Sequence, residues 1–206
     1  MRSMSLLCCI LTVLVGCAVG PSREEIEEST AQEEALEAEK KAYYDKNSAQ
    51  ALEMLKMCQT FSTINDARAL MKAIKPVIDG ACQVHLTQME IIAGVWDVAI
   101  TRSVYLKDTS PSLEIAKYQL WRSERGFHLI DAACDQCIKQ AMQQINSLNG
   151  RSMDGFDDLL NYYTTYTQIY DLLVTPKGSL MSYKQAINAL RLETTKMSNK
   201  LSIILW

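Results

Sequence analysis

Glycine and proline are scarce in this chain, 8 and 4 copies in 206 residues, and no stretch sustains a period-two alternation of apolar and polar residues. A chain so poor in breakers and in strand patterning reads as helical. Several chemistries are excluded as well. No Glu-x-x-His occurs, which removes the usual di-iron bundle signature, and neither a phosphate loop nor G-x-S-x-G is present. Cys134-Asp135-Gln136-Cys137 is followed by Ile138, so the covalent haem motif is missing its histidine. No repeat of solenoid length stands out. A large charge of one sign is lacking too. The formal net charge is −3, of which residues 22–45 carry −6 through nine acids against Arg23, Lys40 and Lys41. The rest of the exported chain is left near +2, too weak and dispersed for a nucleic-acid surface.

What is present begins at the N-terminus. Arg2, an apolar core of ten residues from Leu6 to Val15, and small residues after it have the layout of a secretory signal. At about 1.5 Å per residue that core covers only about 15 Å, half of a roughly 30 Å hydrocarbon layer, so it is a signal and not a spanning helix. Leu14-Val15-Gly16-Cys17 closes it and resembles the cleavage box of bacterial lipoprotein signal peptides. The resemblance covers residues 1–17 alone. It implies cleavage before Cys17, a diacylglyceryl group on its thiol, and acylation (palmitate) of the freed amine. More than one long chain, at about 0.8 kcal/mol per buried CH₂, makes such attachment stable. Ala18, in place of an aspartate, implies sorting to the outer membrane, with periplasmic or surface orientation left open.

Three segments follow from this reading: a signal peptide over 1–16, a lipid-anchored acidic tether over 17–46, and a helical bundle over 47–206. The tether, rich in Glu and Ala, reads as a solvated helical or partly disordered spacer that repels anionic lipid and lifts the bundle away from it. An acidic docking arm for a basic partner is the alternative.

Within the bundle, heptad-spaced seams define the helices. Leu180, Tyr183, Ile187, Leu190, Thr194, Met197, Leu201 and Ile204 form the clearest, with Ser179 as N-cap after the turn at Pro176 and Gly178. Phe156, Leu159, Tyr163, Tyr166, Tyr170 and Leu173 form another, and the tight loop between them predicts an antiparallel hairpin. Ser110-Pro111 opens a third helix, a long strut with the seam Leu113, Ala116, Leu120, Phe127, Ile130, Cys134, Cys137, Ala141, Ile145 and Leu148, stopped by Asn149-Gly150. Val77 to about Leu106 is apolar all round and reads as the central helix. Pro76 is expected to end or kink whatever precedes it, leaving one helix and a shorter one, starting near Thr63 or Asn65, within 48–75. The fold expected is all-α, a single antiparallel bundle of four or five long helices.

Chemistry concentrates on cysteine. Cys8 and Cys9 leave with the signal and Cys17 is blocked by lipid, so Cys58, Cys82, Cys134 and Cys137 remain, an even number in an oxidising compartment. Cys82-x-x-His85 and Cys134-x-x-Cys137 each place two side chains on one helix face. A fold-back near Asp108 and Thr109 sets residue 82 opposite residue 136, which brings both pairs to one level. That is a four-ligand set for zinc or copper, Cys82, His85, Cys134 and Cys137. The oxidising compartment favours disulfides over the metal, with Cys82 bonded to Cys134 or Cys137 and Cys58 taking a remaining thiol. Glu124, His128, Asp131 and Asp135 read as a solvated stripe, and Tyr162, off its seam, as a contributor to a partner-binding face. The function expected is a non-catalytic envelope lipoprotein, an adaptor or interaction module with no cofactor, held to the membrane by its lipid and engaging a protein partner. The alternative is a bundle that binds a metal or small ligand through the Cys/His set.

Overall fold

A computed structural model of the chain describes residues 23–105, 110–125 and 127–205. The signal segment and Cys17 lie outside the described residues. Six α-helices and one short 3-10 turn make up the rest: α1 (Arg23–Phe61), α2 (Ala67–Tyr105), α3 (Pro111–Glu124), α4 (Phe127–Ser147), the turn Gly150–Ser152, α5 (Phe156–Val174) and α6 (Leu180–Leu205). The all-α bundle expected from the seams is what forms. It has six α-helices, more than four or five, because the strut is divided in two.

α2 is the axis. Leu70, Met71, Ile74, Ile78, Met89, Ile91 and Ile92 are each wholly buried, and α2 packs on every other α-helix. At about 1.5–3 kcal/mol for each large apolar side chain removed from water, this packing decides the fold. It also explains why Pro76 does not end the helix. Pro76 is exposed, so the carbonyl it leaves unpaired one turn earlier faces water, while Ile74, Val77 and Ile78 on the opposite side are fully buried. The boundary falls instead at residues 62–66. Asp66 accepts from Ala69 N at 2.6 Å as the cap of α2, and Gln144 Nε2 donates to the carbonyls of Phe61 (3.2 Å) and Ile64 (2.8 Å), closing the turn from α4.

Side-chain pairs give the directions. α6 runs antiparallel to α2, with Lys184 on Asp97 (2.6 Å), Arg191 on Glu90 (2.7 Å) and Ser198 on Lys75 (3.0 Å). α5 runs parallel to α2, with Tyr162 on Asp79 at 2.6 Å and Tyr166 stacked on His85 at 5.7 Å. The α5–α6 hairpin forms as the seams require, capped by Ser179 Oγ accepting from Ser182 N at 3.1 Å, with Gly178 at φ 92° in the turn. α1 lies antiparallel to α2. A Cβ on Gly94 would come within 3.2 Å of Leu36 Cδ1, so the glycine admits that leucine to the core surface. Over its described part the acidic segment takes the helical form of the expected tether, as the N-terminal part of α1 from Arg23, with Leu36 packed against the core.

The strut departs most from expectation. α3 ends at Glu124 and α4 starts at Phe127, so the run from Leu113 to Leu148 is two helices with two facings. In α4 the seam holds, with Phe127, Cys134, Cys137, Ala141 and Ile145 buried. In α3 it is inverted. Tyr118 and Arg122 face the core, while Leu113, Ala116 and Leu120 face outward. In the sequence a glycine, a weak helix former, separates the two.

Candidate functional site

The four-residue cysteine and histidine set does not assemble. Cys58 of α1 and Cys137 of α4 form a disulfide with Cα atoms 5.9 Å apart, and Cys82 and Cys134 are buried free thiols. The expected bond from Cys82 to Cys134 or Cys137 is therefore corrected, and Cys137 is no longer available as a ligand. Among the described residues no group of three or more His, Cys, Asp or Glu is placed to hold a metal. The expected level was nearly right. His85 contacts Asp131, which sets Cys82 beside residue 134 and two positions from the expected 136. Rotation about the helix axes was what failed. Cys82 turns toward Tyr162 on α5, and Cys137 toward α1. Burial, then the charge of Asp79, pushes the Cys82 thiol up to about 12; burial, then Asp131, pushes Cys134 up to about 11. Both stay protonated at neutral pH.

Asp131 is not on a solvated face. It is 3% exposed and bridges two helices, Oδ1 meeting His85 Nε2 at 3.1 Å and Oδ2 pairing with Arg122 Nη2. Arg122 Nη1 donates to Gln119 Oε1 at 2.8 Å, and Gln119 Nε2 donates to the Leu173 carbonyl at 2.9 Å. One polar chain thus ties α2, α4, α3 and α5. His85 and Arg122 are 2% and 4% exposed, and Tyr166 and Tyr170 stand 5.7 Å from the imidazole, centroid to centroid. His85 Nδ1 and the Tyr166 hydroxyl are buried without a partner among the described residues. Burial, followed by Asp135 and its neighbours, drives the Tyr166 hydroxyl far above its ordinary range. A histidine–carboxylate pair can serve acid–base catalysis, yet here no face of it meets solvent, so the arrangement fastens helices. Glu124 and His128 of the supposed stripe are exposed on two different helices, and Asp135, half-buried, has its carboxyl raised chiefly by burial.

The second polar centre opens outward between α2, α5 and α6. Asp79 Oδ1 accepts from the Tyr162 hydroxyl at 2.6 Å and Oδ2 from Lys75 Nζ at 2.7 Å; Lys75 also reaches Ser198 Oγ at 3.0 Å. Tyr162, although off its seam, is 1% exposed and forms the inner wall, so it does not contribute to an outer face. Beside it lies a groove of about 500 Å³ between two polar stripes of like spacing, Asp79, Cys82, Gln83, Leu86 and Thr87 on α2, and Arg191, Thr194, Thr195, Ser198 and Asn199 on α6. Each stripe is written at i, i+3, i+4, i+7, i+8. Small hydroxyl and amide side chains occupy positions where long apolar ones would zip the helices shut.

A third feature is apolar. Leu113 and Leu120 of α3 are 50% and 60% exposed, one heptad apart, with exposed Ala116 between them. Beneath, Tyr118 stacks on Trp121 at 5.5 Å and Arg125 covers the Trp121 ring at 4.4 Å, so α3 is fixed by its inner face. Sequence reading missed Arg122, Asp79 and Lys75. The last two were legible as an i, i+4 ion pair, whereas Arg122 becomes Asp131's neighbour only once the helix breaks between them. Among the described residues no helix is long and apolar enough to cross a membrane. No protein-family model matches this chain, and neither a curated protein nor a solved structure matches it.

Proposed function

We propose that this chain is a cell-envelope lipoprotein, anchored through acylated Cys17, whose helical bundle acts without catalysis as a protein-interaction or adaptor module. Anchoring and the outer-membrane address rest on Leu14-Val15-Gly16-Cys17-Ala18. Interaction is carried by one observation, the outward stripe Leu113, Ala116 and Leu120, which has the spacing of a buried seam and is left uncovered by the described residues. A partner helix laying apolar residues at i, i+3 and i+7 along it would gain about 1 kcal/mol for each leucine, roughly half the full-burial value because each is already half covered. His85, Asp131 and Arg122, which meet in one cluster, are meanwhile buried away from solvent. The rival metal reading has lost Cys137 to the disulfide.

A photo-crosslinking residue placed at position 120 of the anchored protein, in its native envelope, should give one adduct of defined mass. The same residue at 192, equally outward on α6, should give none, and Leu113→Asp should abolish the adduct at 120. Equal yields at both positions, or no adduct at 120, would end the interaction reading. Mass spectrometry of the N-terminal peptide tests the anchor separately: an unmodified Cys17 in a chain cut elsewhere removes the lipoprotein half and leaves the α3 reading standing.

A further inference from the structure

We propose that the groove between α2 and α6 binds a neutral, polyhydroxylated ligand of mono- to disaccharide size. The inference is independent of the lipid anchor and of the α3 stripe. Its volume of about 500 Å³ falls within the range of small-molecule sites, about 300–1,000 Å³. Its lining decides the class of ligand.

Charge is the first discriminant. Asp79 already meets Lys75 and Tyr162, and Arg191 meets Glu90 at 2.7 Å. A cationic or anionic ligand would have to displace one of these partners, so the groove offers neither sign a net attraction. Hydrogen-bonding capacity is the second. Thr87 donates to the Gln83 carbonyl at 3.0 Å, and Thr194 and Thr195 donate to the Arg191 carbonyl at 2.9 and 2.8 Å. Each threonine hydroxyl therefore has spent its proton on the backbone and keeps lone pairs for an incoming donor. Ser198 Oγ accepts from Lys75, which leaves its proton to give. Gln83 and Asn199, exposed on opposite walls, each present an amide that donates and accepts. Taken together the walls are rich in acceptors, with a few donors, no free charge and one aromatic side chain, Tyr162. Hydroxyl groups, which both donate and accept, match that array; an apolar ligand would strand it unpaired.

The test uses the full mature chain, free of detergent when produced with Cys17→Ser, and four probes: di-N-acetylchitobiose and trehalose as neutral polyols, glutamate and putrescine as charged controls. Backbone amide shifts are followed by NMR. Saturable shifts with at least one neutral probe, centred on Gln83, Thr87, Ser198 and Asn199, are expected. Asn199→Leu and Gln83→Leu, both at exposed positions, should weaken that binding about tenfold each, the scale of losing a hydrogen bond or two, with unchanged thermal melting. No saturable shift with either neutral probe overturns the proposal. So do shifts with a charged probe alone, shifts centred away from the groove, or binding that survives both leucine variants.

Discussion

Asp131 and Asp79 make the same kind of junction at different depths. Each carboxylate sits between a cation and a ring-bearing partner: Arg122 and His85 for Asp131, Lys75 and Tyr162 for Asp79. The Asp131 side chain is 4% exposed and the Asp79 side chain 33%. Water can therefore replace what Asp79 loses, and nothing replaces what Asp131 loses. The inner junction holds helices in one arrangement, and the outer one tolerates exchange with solvent or ligand.

The largest break in that comparison should come from Asp131→Ala, which leaves Arg122 buried and uncompensated at a cost of about 3–5 kcal/mol. Replacing both partners by apolar residues of similar volume, Arg122→Met with Asp131→Leu, should recover most of that loss, because the desolvation cost disappears along with the attraction. Urea unfolding of the three proteins measures both effects. If Asp131→Ala cost no more than Asp79→Ala, depth would not be the distinction.

On the outer junction, Tyr162→Phe removes one hydrogen bond, and Asp79→Asn removes an ion pair open to solvent; each should cost about 1 kcal/mol, well below the inner variant. Losses of 3 kcal/mol or more in the same urea series would mean that the groove is as sealed as the core.

The smallest effect is absent at ordinary pH. Cys82 lies on the groove side and Cys134 on the sealed side, with thiols pushed up from 9.0 to about 12 and about 11. A thiol raised in the folded state adds its stability fully below the unfolded value, near 9, and loses it as pH climbs toward the folded one. Stability should be flat below pH 9 and fall above it, less steeply in a Cys82→Ala, Cys134→Ala double variant. Native alkylation should reach Cys134 at lower pH than Cys82. The reverse order would show that the groove admits reagent to its floor.

Much of this architecture was legible. The α5 and α6 seams, the Ser179 and Ser110 caps and the central place of α2 follow from spacing and apolar content, because one buried face of a helix imposes its period on the sequence. Three things were not. Pro76 by sequence alone can end its helix, although packing on its far side outweighs the lost backbone bond. A single seam drawn from Leu113 to Leu148 gives α3 the phase of α4 and turns its buried face inside out, which hides Arg122, a cation on the true inner face. Residue level across the hairpin came within two positions, and Cys58 does take one of the two α4 thiols, yet Cys82 bonds neither, since level follows from counting and azimuth depends on how neighbouring helices roll against each other. Cys58 was a candidate throughout. Only the roll of α4 toward α1 makes Cys137 its partner.

That bond also gives the chain a mechanical stop. Cys58 and Cys137 are 79 residues apart in sequence, and at about 3.4 Å per extended residue the closed loop withholds about 270 Å of contour from any pull along the chain. A load applied at the N-terminal end of α1 can peel that helix only as far as residue 58, after which tension passes through the bond to α4 and bypasses the whole of α2 and α3. Force spectroscopy between the two ends of the chain should release that length in reducing buffer and withhold it in oxidising buffer; equal extensions in the two would show that the loop carries tension after all.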